Sequence, residues 1–194
     1  MNREKEILEY ITPLFEKRYF DSCELIQKKF DRSEKITLNI LKKFEDIFKK
    51  ITLLQKEHNK GEIKYLYISY LRSSLLTKSY DFRIDFYDRN LYLDENLVYI
   101  YLSLDFIFYY YKEDILYFIE KLRKNFIRLQ QYEIELIEEK YAFYYYKICA
   151  KFFFDLIKEI FHISNFCDMK KEKEIKVIFG EYMDRGILIY NYKQ

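Results

Sequence analysis

The chain has 194 residues, half of them apolar and a third charged, with 34 basic side chains against 32 acidic ones. A net charge of +2 excludes a polycation or an acidic tail as the basis of function, and the mixture is that of a folded protein rather than a disordered one. Its length predicts one compact domain over residues 1–194 that needs no covalent staple.

The composition is skewed toward rings: 22 tyrosines and 18 phenylalanines stand against 3 glycines, one proline and no tryptophan. Lys, Ile, Asn, Tyr and Phe are also the residues of AT-rich codons, so part of this excess reads as base composition. Cys23, Cys149 and Cys167 form neither a disulfide framework nor a zinc spacing and are read as free thiols, which fits a reducing cytoplasm. The start, Met1-Asn2-Arg3-Glu4-Lys5-Glu6, carries no signal-like apolar stretch, and the longest apolar run, Leu97 to Tyr111, falls short of the ~20 residues that span a bilayer. No membrane association is expected.

In chain order, Asp21-Ser22-Cys23-Glu24 and Asp31-Arg32-Ser33-Glu34 match the capping box, in which the first side chain and the Glu exchange hydrogen bonds with orphan backbone donors. Thr12-Pro13 offers a further helix start, because Pro costs nothing at the first helical position. Leu41, Phe44, Ile47, Phe48, Ile51 and Leu54 keep helical spacing up to His58-Asn59-Lys60-Gly61, and Ile63 to Leu76 reads as another helix. After Ser79 the period changes to two. Phe82, Ile84 and Phe86 alternate with Arg83, Asp85 and Tyr87, then Asp88-Arg89-Asn90 supplies a turn before Leu91-Tyr92-Leu93, so a short antiparallel hairpin is predicted. Leu97 to Leu104 fits strand or helix.

Helices are predicted over 105–127 and 131–163. On the second, Lys140, Lys147, Lys151, Asp155 and Lys158 fall in one narrow polar stripe, which makes that helix the aromatic-rich centre of the domain. Ile175 to Phe179 and Ile187 to Tyr192 form a second hairpin across a loop whose ends, Gly180 and Gly186, can take positive φ. The fold class is thus α+β and mainly helical, with long amphipathic helices around a central aromatic-rich helix and two short β-hairpins.

Chemistry is sparse. Glycines at 61, 180 and 186 cannot write a phosphate loop or a dinucleotide fingerprint. His58 and His162 are the only imidazoles, and neither a Cys–His pair nor a zinc set with Cys167 and Asp168 is completed by the spacing. No catalytic residue, metal or cofactor is assigned. Asp81, Asp85, Asp88, Asp94 and Glu95 are read as a solvated, self-neutralising sheet face.

Three readings of function follow. The first is a non-enzymatic protein-binding module, an inhibitor, immunity or accessory protein of an AT-rich bacterium or mobile element, using the hairpin face Arg83, Asp85, Tyr87 and Arg89. The alternative is an RNA- or DNA-binding protein in which Lys121, Arg123, Lys124 and Arg128 track phosphates, with Lys121, Lys124 and Arg128 stacked on one helix face. An enzyme without a recognisable motif is the third.

Overall fold

The computed structural model describes residues 3–31 and 34–193, with the backbone alone for Phe30, Asp31 and Glu34. In chain order the elements are helices α1 (Arg3–Asp31) and α2 (Glu34–Lys56), strand β1 (Ile63–Tyr70), the short helix α3 (Arg72–Thr77), and strands β2 (Asp81–Tyr87) and β3 (Val98–Ser103). Helices α4 (Asp105–Asn125), α5 (Gln131–Ile160) and α6 (Ser164–Asp168) follow, and strands β4 (Lys171–Glu181) and β5 (Gly186–Lys193) close the chain. The fold is α+β and mainly helical. The residues group into two compact units: 1–33 with 105–149, and 34–104 with 150–194.

The first unit is helical: α1, α4 and α5 through Cys149. Ile7, Ile11, Phe15, Ser22 and Ile26 recur along α1 at helical spacing and are buried, which drives one helix through both expected starts. Pro13 lies inside α1, and Ser22, expected to sit in a capping box, donates instead to Asp114 at 2.9 Å. A tertiary partner has replaced the local one. The expected box at Asp31-Arg32-Ser33-Glu34 falls at the α1–α2 boundary, where Arg32 and Ser33 lie outside the described residues. Phe15, Phe118 and Tyr141 meet with ring centroids 4.7–4.9 Å apart, close enough for the edge-to-face and tilted contacts that aromatic cores favour.

In the second unit one five-stranded mixed sheet, ordered β3-β2-β1-β4-β5, stands where two separate hairpins were expected. Its middle pair, β1 with β4, is parallel, while β1–β2, β2–β3 and β4–β5 are antiparallel. The predicted helix over Ile63 to Leu76 is β1 followed by α3, and the predicted strand at Leu91-Tyr92-Leu93 is a 3-10 turn. Leu97 to Leu104 resolves as strand β3.

Phe82, Ile84 and Phe86 point from β2 into a core that includes Phe48 of α2, Phe153 of α5 and Phe166 of α6. Phe153 has no solvent exposure and packs on Phe82 and Phe179. Its replacement by alanine should cost ~3–5 kcal/mol, as cavity formation does for buried Phe, and should lower the urea midpoint by circular dichroism. An unchanged midpoint would place this ring outside the core.

The β4–β5 turn corrects another expectation. Neither Gly180 nor Gly186 has positive φ; Met183 takes it, at 56°. The glycines answer to space instead. A Cβ at Gly180 would stand 2.3 Å from the Arg185 carbonyl oxygen, and one at Gly186 2.4 Å from the Tyr67 hydroxyl oxygen. That closeness lets Tyr67 donate to the Asp184 carbonyl at 3.1 Å, fastening the turn to β1.

Candidate functional site

The alternation that buries Phe82, Ile84 and Phe86 sends Arg83, Asp85 and Tyr87 to the opposite sheet face. Register then builds rows across that face. Ser69, Arg83 and Tyr101 are neighbours on β1, β2 and β3, and so are Tyr67, Asp85 and Tyr99. Tyr65 stands beside Tyr87. The sheet thus gathers tyrosines around one ion pair.

Arg83 donates to Asp85 through Nε, at 2.9 and 3.0 Å to the two carboxylate oxygens, and through Nη2 at 2.7 Å. Its guanidinium carbon lies 3.9 Å from the ring centroid of Tyr99 and 4.8 Å from that of Tyr182, which sits at the β4–β5 turn. Tyr92, from the 3-10 turn, packs edge-on against Tyr87.

The result corrects the expectation of a solvated charge pattern. Asp85 and Tyr87 are 1% and 2% exposed, and the Arg83 side chain 12%. Burial pushes the Asp85 carboxyl above its usual range, against the opposing pull of Arg83, Lys60 and the Tyr87 hydroxyl. The Tyr87 phenol is also raised, by burial and then by the Asp85 charge. Burial opposes the charge on Arg83, yet the hydrogen bonds and charge of Asp85 raise its pKa overall, so the guanidinium stays ionised.

Arg89, expected to join these three, lies past the end of β2 and lines a polar recess of about 510 Å³ with His58, Glu62, Asp88 and Lys170. Sequence reasoning missed what holds that recess together. The buried Lys60 ammonium donates to Asp94 and, at 2.7 Å, to the Asn96 carbonyl. Asp94 in turn accepts the backbone N–H groups of Asp88 and Asn96, both at 3.1 Å. Gln55 ties the end of α2 to the chain on either side through Gly61 and Lys170. Asp94 was visible only as one member of an acidic cluster.

The basic track is not continuous. α4 ends at Asn125, so Arg128 is in the following turn with φ at 54°, and the expected stack with Lys121 and Lys124 is broken. Lys124 is paired with Glu120, and the Lys121 ammonium lies over the Tyr117 ring; Arg123 is exposed in the last turn of the helix.

Cys149 is buried, which raises its thiol pKa, opposite to the lowered value of an activated thiolate. Among the described residues no group of three or more His, Cys, Asp or Glu is placed to hold a metal ion, and no helix is long and apolar enough to cross a membrane. No protein-family model matches the chain, and comparison with curated proteins and with solved structures returns no match.

Proposed function

We propose that the chain is a non-enzymatic protein-binding module and that the tyrosine-bearing face of its sheet is the contact surface. The observation that carries this reading is the pair Tyr99 and Tyr101, 41% and 47% exposed on the outer strand β3, next to a guanidinium already fixed by Asp85. Tyrosine supplies large amphipathic area with little rotamer entropy to lose, and a strand holds it rigidly. Such pre-organisation lowers the ordering cost of association. An inhibitor, immunity or accessory role in the cytoplasm suits this chemistry, since each works by occupying another protein.

Affinity capture from host extract, with and without nuclease, tests the reading. The chain should retain a discrete protein after nuclease treatment, and Tyr99→Ala with Tyr101→Ala should weaken capture more than tenfold. Their thermal midpoints should stay close to that of the parent chain, because exposed substitutions usually change stability by no more than ~0.5 kcal/mol. Tyr87→Ala should act differently, lowering stability because its ring is buried. Capture that vanishes with nuclease, and then with charge reversal at Lys121, Arg123, Lys124 and Arg128, would move the function to nucleic-acid binding.

A further inference from the structure

Leu104 donates to the Tyr80 carbonyl at 3.5 Å, which fixes the hydrogen-bonding phase of the outer strand. Hydrogen-bonded pairs in an antiparallel ladder recur at every second residue, so Val98, Ile100 and Leu102 turn their backbone groups toward Phe86, Ile84 and Phe82 of β2. Tyr99, Tyr101 and Ser103 therefore point their N–H and C=O groups out of the edge of the sheet, where no further strand lies among the described residues. The Lys43 ammonium reaches that row, 3.3 Å from the Tyr101 carbonyl oxygen, which keeps a second lone pair.

Sheet edges are normally blunted by charges, proline or a bulge. β5 carries a bulge: Tyr190 pairs with Val177 and Leu188 with Ile178, leaving Ile189 as the extra residue. β3 has none of these devices on the strand itself. No charged residue, proline or glycine occurs from Asn96 to Leu104, and β3 pairs with β2 without a register shift.

We infer that β3 pairs antiparallel with β3 of a second copy of this chain, across a two-fold axis at Tyr101. The outward row selects this occupant by its symmetry. Tyr101 meets Tyr101 of the second copy and Tyr99 meets Ser103, each pair exchanging two N–H···O bonds. The smallest side chain of the row then stands opposite a bulky ring, and the two Tyr101 rings form a cross-strand aromatic pair. A two-fold pairing also sets each copy's charges near their own likes, and this strand carries none. The inference goes beyond the protein-binding reading and is compatible with it. Backbone edges make the pairing while the Tyr99 and Tyr101 side chains stand off the outer face, so those of both copies join one continuous surface.

The test is sedimentation equilibrium of the full chain over about 1 μM to 1 mM, a span from firm to barely detectable association. The mass should double and go no further. Ser103→Pro removes one outward N–H and leaves the β2 pairing and both tyrosines in place, so it should weaken the dimer at least tenfold with ellipticity at 222 nm unchanged. Amide exchange of the parent chain gives a readout that needs no variant: Tyr99, Tyr101 and Ser103 should gain protection with concentration, while Ile187 and Leu188 on β5 should not. A monomer throughout, growth beyond the dimer, equal dimerisation of a folded Ser103→Pro, or concentration-dependent protection on β5 instead of β3 would each overturn the inference. Because Ser103→Pro keeps both tyrosines, capture by that variant reports on the broader reading whether or not the chain dimerises.

Discussion

Asp114→Ala is expected to unfold the helical unit or to leave it stable only at low temperature. The carboxylate is 0% exposed and accepts from Arg18 Nε at 2.7 Å, Ser22 Oγ at 2.9 Å, Tyr141 Oη at 2.7 Å and Tyr145 Oη at 2.9 Å. Those donors come from α1 and α5, while Asp114 stands on α4, so one side chain joins all three helices of this unit. Truncation strands the Arg18 guanidinium and three hydroxyls. The Arg18 side chain is a third exposed and regains some hydration, so losing its partner costs less than the ~3–5 kcal/mol of a fully buried pair, while each buried hydroxyl left without an acceptor adds ~1–3 kcal/mol. Against a total stability of ~5–15 kcal/mol, that is enough to unfold a small helical unit.

Asp114→Asn should be milder, because an amide oxygen keeps acceptor capacity while losing the charge. Replacing the group as a whole, with Asp114→Leu, Arg18→Met, Ser22→Ala, Tyr141→Phe and Tyr145→Phe together, should recover much of the loss, since no polar group then remains unpaired. Urea titrations followed at 222 nm and by amide exchange in α1 and α4 would measure all three. A midpoint for Asp114→Ala within ~0.5 kcal/mol of the parent would show that this network adds no net stability.

The sequence made β2 easy to see and hid its neighbours. Phe82, Ile84 and Phe86 alternate with polar residues, so period two is visible there. β1 is a central strand with bulky residues on both faces: Leu66 and Ile68 toward the helices, Tyr65 and Tyr67 away from them. Its alternation is masked, and Ile63 to Leu76 therefore passes for a helix. The parallel pairing of β1 with β4 joins Tyr65 to Lys176, a separation no local pattern records.

The same distinction governs the site. Arg83, Asp85 and Tyr87 were legible as one strand face because their spacing is local. Their burial was not, because Tyr92 and Tyr182 reach Tyr87 and Arg83 from a 3-10 turn and from the far β4–β5 turn. Asp114 had no signature at all. It lies inside an aromatic-rich helical run, with its acceptor role set by residues on two other helices.

Raising the pH beyond about 10, the ordinary tyrosine value, is expected to unfold the chain steeply. Tyr67, Tyr87, Tyr141 and Tyr145 are all buried, and burial is the first cause that raises each phenol. A further cause differs by site: Asp114 acts on Tyr141 and Tyr145, Asp85 on Tyr87, and the neighbouring Tyr92 on Tyr67. The sign follows from linkage. A phenol whose folded pKa lies above its unfolded value contributes stability that is complete below the unfolded pKa and is lost as pH rises toward the folded one, because the unfolded chain then binds fewer protons. Each such ring removes about 1.4 kcal/mol per pH unit once its unfolded counterpart is ionised. With two of these rings in each compact unit, a stability of ~5–15 kcal/mol is consumed within a few pH units. Phenolate absorbance at 295 nm should therefore show a late stage in which these four buried rings ionise together with the loss of ellipticity at 222 nm. Ionisation of all 22 tyrosines in one transition that precedes any change at 222 nm would show that these four rings are reached by hydroxide in the folded chain and that their burial carries no such linkage.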